Sequence, residues 1–505
     1  MIYVKRIRKG LTHIGKKTIQ CVAFCCPLFS LAQQGDGIRD TSKHTGIHEE
    51  LNMLQFYNRS AITGFHNAWK TSSKNKFVVV HVGDSHVQPD IYPHEIRKRM
   101  QFLHGDGGRG MVFPYSTADS YYSHQYTGSH TGTWRWGKTM RIPPALPLGV
   151  MGMACRTKDP EASFEITFKE PVPEHYTRLK LFCRKSRCSF DLVVESGGTE
   201  IRVNVDSIPG DRLPYYEISI PVPNPTIRVK LVKNADCDSL FEFYGMSLES
   251  TRPGGFMIHS CGVGASRFRA TLYEPLFVEQ VKALDADVVI LDYGTNDYLY
   301  DDDLKPELRS EIIQVIAKVR AAVPNATIVL PTVQDLFRKG RHRNSGDDFC
   351  ELIHNIAREQ NCVVWDWFWI SGGNYSVKTW EKFGLAQYDL VHLTKPGYEL
   401  KGQFFSEAMI NTATFLDAYA GADSLVFKRD SLDKHVSAET HNTASTYTPD
   451  VKGRYAYKYK IKNGDNLGAI AMRYGVTVSQ LMAWNNLRST QIIAGRTLII
   501  YRRKK

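Results

Sequence analysis

Short apolar runs alternate with amphipathic stretches along most of the chain from Phe77 onward. The segments "FVVVHVGDS", "ADVVILDYGTND", "ATIVLPT" and "CVVWDWF" are apolar at nearly every position, whereas "LRSEIIQVIAKVRAAV" and "DFCELIHNIAREQ" repeat their apolar residues three and four apart. Strands apolar on both faces, joined by amphipathic helices, predict a parallel sheet covered on both sides. Between about Met111 and Arg252 the period changes. There "ASFEITFKE", "LKLFCRKSRCSFDLVVES", "TEIRVNVDSI", "YEISIPV", "TIRVKLVK" and "SLFEFYGMSLES" alternate apolar and polar residues and are parted by Gly, Pro, Asn and Asp turns. That is the pattern of a β-sandwich. The reading is an α/β domain in two pieces, 51–112 and 253–422, interrupted by an all-β insert at 113–252.

A chain of 505 residues exceeds one core and predicts roughly two to four folding units. Residues 1–32 carry Lys5, Arg6, Arg8, Lys9, Lys16 and Lys17 without an acid, then an apolar run from about Cys21, then Ser30-Leu31-Ala32. This layout predicts a secretory signal cleaved after Ala32, because the apolar stretch from Ile19, broken by Gln20, falls short of the ~20 residues of a membrane span. Residues 33–50 read as a polar, flexible leader and 423–454, rich in Ser, Thr, His and charge, as a linker. A compact unit is expected at 455–505. Ten Lys or Arg there face a single acid, Asp465, so this piece carries +9 of the formal net charge of +12. With six more positive charges in the signal, the middle of the chain is slightly acidic, and the basicity belongs to the C-terminal piece.

Three of the ten cysteines, Cys21, Cys25 and Cys26, fall in the signal, where the bulky Phe24 makes a poor lipoprotein cleavage box. The seven others cannot all pair within one chain. Cys183 and Cys188 are spaced to bridge a hairpin, while Cys261, Cys350 and Cys362 read as small core residues. No Cys/His cluster has zinc-ligand spacing, so no metal is expected.

In an open α/β sheet, reactive groups gather at the carboxyl ends of the strands. Ser85 stands at such an end, within Gly83-Asp84-Ser85-His86. Three further blocks fall where the same rule puts them: Gly264 after "GFMIHSCGV", Gly294-Thr295-Asn296-Asp297 after "ADVVILDY", and Asp389-Leu390-Val391-His392 before the last helix. Together they supply a nucleophile, amide donors, a base and a carboxylate, the parts that acyl transfer requires. Each block alone is weak, since Ser85 or Asp297 would equally cap a helix and His392 would serve as a structural histidine. Four in this order, each at a strand end or the last loop, are a specific signal. They resemble the SGNH hydrolases, also called the GDSL family, over roughly Phe77 to Ala420 with the insert excepted. The resemblance implies a flavodoxin-like three-layer α/β fold, with Ser85 as nucleophile, His392 as general base and Asp389 orienting its ring. It also implies an oxyanion hole formed by the backbone N–H groups of Ser85 and Gly264 and the side-chain amide of Asn296, with no cofactor. His86 stands where many members have Leu; it reads as structural, as do His81 and His104. The glycine-rich "GDGGRGMVF", 105–113, lacks the Lys-Ser/Thr of a P-loop and is expected to shape the rim of the active site beside the insert.

From Tyr457 the sequence resembles a LysM module, in Ile461, Gly464-Asp465-Asn466-Leu467, Ile470-Ala471, Tyr474-Gly475-Val476, Leu481, Trp484-Asn485, Ile493-Ala494-Gly495 and Leu498. That resemblance implies a small βααβ domain that binds N-acetylglucosamine-containing glycans such as peptidoglycan, with Gly464, Asp465 and Asn485 as candidate contacts, and no nucleic-acid partner. Trp134 and Trp136, with Tyr126, are candidate sugar platforms in the insert. An export signal, a Gly-Asp-Ser-His block, an insert between the first and second blocks and a LysM are together similar to the peptidoglycan O-acetylesterases. They imply an enzyme exported to the periplasm, envelope or medium, with no transmembrane span once the signal is removed. Other functions fit the same residues: acetyl transfer, ester hydrolysis on another acetylated glycan, and non-catalytic wall binding through the LysM alone. The intact Ser85, Asn296, Asp389 and His392 argue against the last.

Overall fold

Six strands form the central sheet: β1 (Leu54–Phe56), β2 (Lys76–Gly83), β3 (Gly255–Gly262), β4 (Val288–Asp292), β5 (Thr327–Pro331) and β6 (Val363–Trp365), in the order β1-β6-β5-β4-β2-β3. Strands β2 to β6 are parallel and β1 alone runs antiparallel. The computed structural model describes residues 46–121, 123–205 and 213–427, and in the C-terminal region 454–462, 465, 470, 474, 481, 484, 485, 487, 492 and 495–503. The expected signal and most of the leader and linker lie outside the described residues.

Helices α1 (Arg59–Thr71), α2 (Tyr92–His104), α3 (Phe277–Leu284), α4 (Leu308–Ala322), α5 (Gly346–Glu359) and α6 (Lys395–Ala418) cover the sheet on both faces. Successive strand residues point to opposite sides. Val79, Val288, Ile290 and Val329 accordingly pack against Phe65 of α1, Ile96 of α2 and Phe405 and Met409 of α6. Their neighbours Val80, Val289, Leu291, Ile328 and Leu330 join Phe277, Ile312, Ile316 and Ile353 of α3, α4 and α5. Fully burying each such side chain is worth roughly 1.5–3 kcal/mol, which is why strands of this kind read as unbroken apolar runs.

The segment between β2 and β3 beyond α2 forms two facing antiparallel sheets. One orders Thr199–Val203, Asp191–Ser196, Thr226–Val232, Ser163–Phe168 and Tyr126–Thr131; the other orders Tyr215–Ser219, Arg178–Cys183, Phe241–Glu249, Met153–Thr157 and Arg135–Lys138. Every expected strand is present. Tyr126–Thr131 was not signalled by its sequence, because only Tyr126 of its residues is buried.

The glycine-rich stretch corrects an expectation. Gly108–Val112 is a sixth strand of the second sandwich sheet, paired with Phe241–Glu249. A Cβ on Gly110 would stand 2.4 Å from the Ile258 carbonyl oxygen, and one on Gly107 2.9 Å from that of Phe256. The glycines therefore let the sandwich cross β3 in backbone contact, and the cleft that Ser85 lines is walled by other residues. A second correction concerns the cysteines. Cys183 is buried in the core and neither it nor Cys188 is bridged, while the exposed Cys237 thiol donates to the Arg187 carbonyl at 3.4 Å.

The chain divides into two compact units, Met1–Val426 and Phe427–Lys505. In the second, Arg454–Lys460 pairs antiparallel with Thr497–Arg503 around Tyr459, Ile461, Ile470, Leu481, Leu498 and Ile500. No helix among the described residues is long and apolar enough to cross a membrane.

Candidate active site

At the end of β2 the chain must turn hard against β4. A Cβ on Gly83 would stand 2.7 Å from the Asp292 carbonyl oxygen and 2.5 Å from Val87 Cγ2. The turn is tied by Asp84, whose carbonyl accepts the N–H groups of Val87 and Gln88 and whose Oδ1 accepts that of His86 at 2.9 Å. Ser85 is thereby presented with its Oγ 3.0 Å from His392 Nε2. On the other side of the ring, His392 Nδ1 lies 2.7 Å from Asp389 Oδ2, and Asp389 Oδ1 accepts the backbone N–H groups of Val391 and His392. Burial pushes the Asp389 carboxyl up, but the hydrogen bonds from the His392 ring and from these two amides outweigh it and hold it below its ordinary value. An ionised carboxylate accepting the Nδ1–H leaves Nε2 bare toward Ser85, so the hydroxyl proton has an acceptor. The loop is fixed from outside. Leu390 sits in the left-handed region at φ +56°, and the N–H of Phe337 and the side-chain amide of Gln334 donate to the carbonyls of Leu390 and Val391.

Gly264 and Asn296 border the same cleft, but neither amide is free. The Gly264 N–H donates to Gln88 Oε1 at 2.6 Å, and Asn296 Nδ2 donates to Asp84 Oδ2 at 3.2 Å and to the Ser266 carbonyl at 3.0 Å. Two of the three donors expected for the oxyanion hole, those of Gly264 and Asn296, are therefore taken by the protein's own acceptors. Gln88, buried and invisible to motif reading, also donates through Nε2 to Ser120 Oγ and the Tyr121 carbonyl. It joins the oxyanion segment to the insert.

The three histidines read as structural differ in what they touch. His104 Nδ1 meets Ser72 Oγ at 2.8 Å and His81 Nε2 meets Asp292 Oδ2 at 3.1 Å. His86 is closer to the chemistry: its ring lies 5.3 Å from that of His392, centroid to centroid, and Tyr398 Oη is 2.9 Å from its Nδ1. Beneath Ser85 the buried charges are divided. Burial alone would raise Asp292, but Lys401, 3.7 Å away, and His81 outweigh it and hold it at about 2. Asp84 has no such cation in contact among the described residues, and burial pushes it up to about 7.

The cleft, about 740 Å³, is lined by Ser85, Gln88, Gly264, Asn296 and His392 on the α/β side and by Ser120, Tyr121, Lys138 and Met140 from the insert. The tryptophans expected as sugar platforms are placed otherwise. Trp136 carries Lys138 and Arg141 over its ring, each at 4.5 Å, and Trp134 packs edge-on to Phe164 with its Nε1 donating to the Thr131 carbonyl. Two of the LysM candidates are likewise engaged in holding the module together. Asp465 accepts from Tyr459 Oη and the Lys462 N–H, while Asn485 bonds the Leu481 carbonyl and both backbone groups of Ile499. Gly464 lies outside the described residues.

Residues 249–400 match the GDSL-like Lipase/Acylhydrolase family and residues 459–500 the LysM domain. The first match contains Gly264, Asn296, Asp389 and His392 but not Ser85, which the insert separates from them. Among solved structures, a peptidoglycan O-acetylesterase superposes with a TM-score of 0.59 at 18% identity, covering 72% of this chain and 99% of that one. At that identity the likeness is one of fold. Among curated proteins, the probable endopeptidase p60 of Listeria grayi is 43% identical over 58 residues, 11% of each protein. The cell wall-binding protein YocH of Bacillus subtilis is 51% identical over 43 residues, 8% of this chain and 15% of YocH. The chain thus spans little more than a tenth of the length of such relatives. It joins a GDSL-like lipase/acylhydrolase domain, split by a β insert, to a C-terminal LysM domain.

Proposed function

We propose that this protein is an exported serine esterase that removes O-acetyl groups from cell-wall glycan, with peptidoglycan as the substrate class. The observation that carries the reading is the hydrogen-bonded chain from Ser85 Oγ through the His392 ring to Asp389, opening on a cleft bordered by Gly264 and Asn296. The fold likeness to a peptidoglycan O-acetylesterase and the LysM domain favour a wall glycan over other esters.

In the mechanism, Ser85 Oγ bonds to the acetyl carbon as its proton passes to His392 Nε2, and the carbonyl electron pair moves onto oxygen. Asp389 stabilises the imidazolium without taking its proton. The oxyanion displaces Gln88 and Asp84 as acceptor for the Gly264 and Asn296 amides, joined by the Ser85 N–H. Collapse breaks the bond to the sugar oxygen, which takes the proton from His392. A water deprotonated by His392 then releases acetate and restores Ser85.

Ser85→Ala and His392→Ala should each lose ~10³-fold or more in turnover while unfolding at the wild-type temperature, because each removes one member of a single catalytic unit. The deciding measurement is acetate release from O-acetylated peptidoglycan, acetylated xylan and a long-chain ester. Release from the first only supports the substrate class; wild-type turnover by Ser85→Ala sinks the mechanism.

A further inference from the structure

Among the side chains that the insert brings to the cleft, Tyr121 lies against Gly264. A Cβ built on Gly264 would stand 2.5 Å from Tyr121 Oη and 3.3 Å from two atoms of its ring, so this phenol lies against the segment that carries the oxyanion amide. We propose that Tyr121 is a further catalytic residue of the esterase, its hydroxyl donating a hydrogen bond to the ester carbonyl oxygen as that oxygen becomes negative. The inference rests on the esterase reading above.

Four observations carry it. Tyr121 lines the cleft together with Ser85, Gly264, Asn296 and His392. Its backbone is tied to the site, because Gln88 bonds the Tyr121 carbonyl with one end of its amide and the Gly264 N–H with the other. Its hydroxyl takes no hydrogen-bond partner among the described residues, whereas that of Tyr398, which also lines the cleft, is engaged with His86. Burial, with Asp84 nearby, also pushes the Tyr121 phenol above the ordinary tyrosine value, so it remains a donor throughout the neutral range.

The contribution is one of hydrogen bonding alone. The bond from Ser85 Oγ to the acetyl carbon forms, the carbonyl π pair moves onto oxygen, and the Tyr121 proton stays on Tyr121. A hydroxyl that donates to the developing oxyanion stabilises it, and removing one such donor costs roughly 10²-fold in turnover or more. The Gly264 and Asn296 amides begin the cycle bonded to Gln88 and Asp84, so an uncommitted hydroxyl beside Gly264 can meet an incoming ester before they are released.

The test compares kcat and KM for p-nitrophenyl acetate in the wild type, Tyr121→Phe, Tyr121→Ala and Ser85→Ala, with the unfolding temperature of each. Tyr121→Phe keeps the ring and removes the hydroxyl; the expected result is a kcat lower by roughly 10² with KM within about twofold and an unchanged unfolding temperature. Tyr121→Ala should lose no more in kcat than Tyr121→Phe, because the missing group is the same. A Tyr121→Phe enzyme with wild-type kcat overturns the proposal, as does a rise in KM alone, which would make Tyr121 a wall for the substrate. These outcomes differ from failure of the esterase reading, in which Ser85→Ala turns over like the wild type or the wild type does not turn over at all; either would remove the inference with it.

Discussion

At the scale of single residues, the groups legible in the sequence were those announced by their neighbours. Ser85 follows an apolar strand and a glycine, and Asp389 and His392 share one short loop; with the other two blocks in order they carried the family resemblance, and the structure sets Ser85 Oγ 3.0 Å from His392 and His392 2.7 Å from Asp389. Gln88 and Tyr121 gave no such signal. Gln88 acquires its role by meeting Gly264, 176 positions away, and no local pattern encodes a contact of that kind. The same contact makes Gly264 the sharpest residue for testing the site. Gly264→Ala puts a methyl group 2.5 Å from Tyr121 Oη, and the half-exposed phenol is the part able to give way. We expect turnover of a small acetyl ester to fall by roughly 10² as the oxyanion donors are spread, with the unfolding midpoint in urea nearly unchanged. A variant that keeps its activity would show that the segment relaxes without disturbing the donors.

At the scale of elements, the junction of sheet and sandwich explains both what was read correctly and what was missed. Strands whose residues alternate between core and solvent, such as Ser163–Phe168, announce themselves; a mostly exposed strand such as Tyr126–Thr131 has no alternation to show. The glycines at 107–110 read as a loop because glycine breaks strands in general, yet here it permits two backbones to touch. β3 is the edge strand of the parallel sheet, and all eight of its residues are buried because the sandwich lies across it. His259 of β3 is caught in that junction with neither ring nitrogen hydrogen-bonded among the described residues. Burial pushes its pKa down to about 3; Glu249 opposes this, while Lys180, Arg97 and Lys76 add to it. A histidine depressed in the fold contributes stability that is complete above its unfolded value of ~6.5 and is lost as the pH falls toward the folded value. Between pH 7.5 and pH 5 the wild type should therefore lose on the order of 2 kcal/mol through His259. His259→Leu should show a correspondingly smaller fall in urea midpoint over the same step. Equal falls in the two proteins would mean that His259 gains a proton partner at the junction.

At the scale of the whole molecule, the division into two units separates the proposed chemistry from attachment. Every residue of the cleft lies before Val426, and the LysM unit carries its own core of Tyr459, Ile461, Ile470, Leu481, Leu498 and Ile500. The module was legible because its apolar positions and glycines recur at fixed places, but the roles assigned to Asp465 and Asn485 were not. Both side chains hydrogen-bond within the module, to its backbone and to Tyr459. The charge of this unit was plain from the start: +9 over residues 455–505 on a chain whose middle is slightly acidic. A basic module carried by an enzyme acts by raising its concentration near an anionic polymer, and attraction between exposed charges weakens as added salt shortens the Debye length, ~10 Å at 0.1 M. Removing residues 455–505 should leave kcat and KM for p-nitrophenyl acetate within about twofold of the intact protein, since no residue of the cleft is lost. The same truncation should reduce sedimentation with insoluble peptidoglycan and slow acetate release from it, with the difference between the two proteins largest at low salt. Full sedimentation of the truncated protein would move wall binding to the first unit and make the sandwich its carrier.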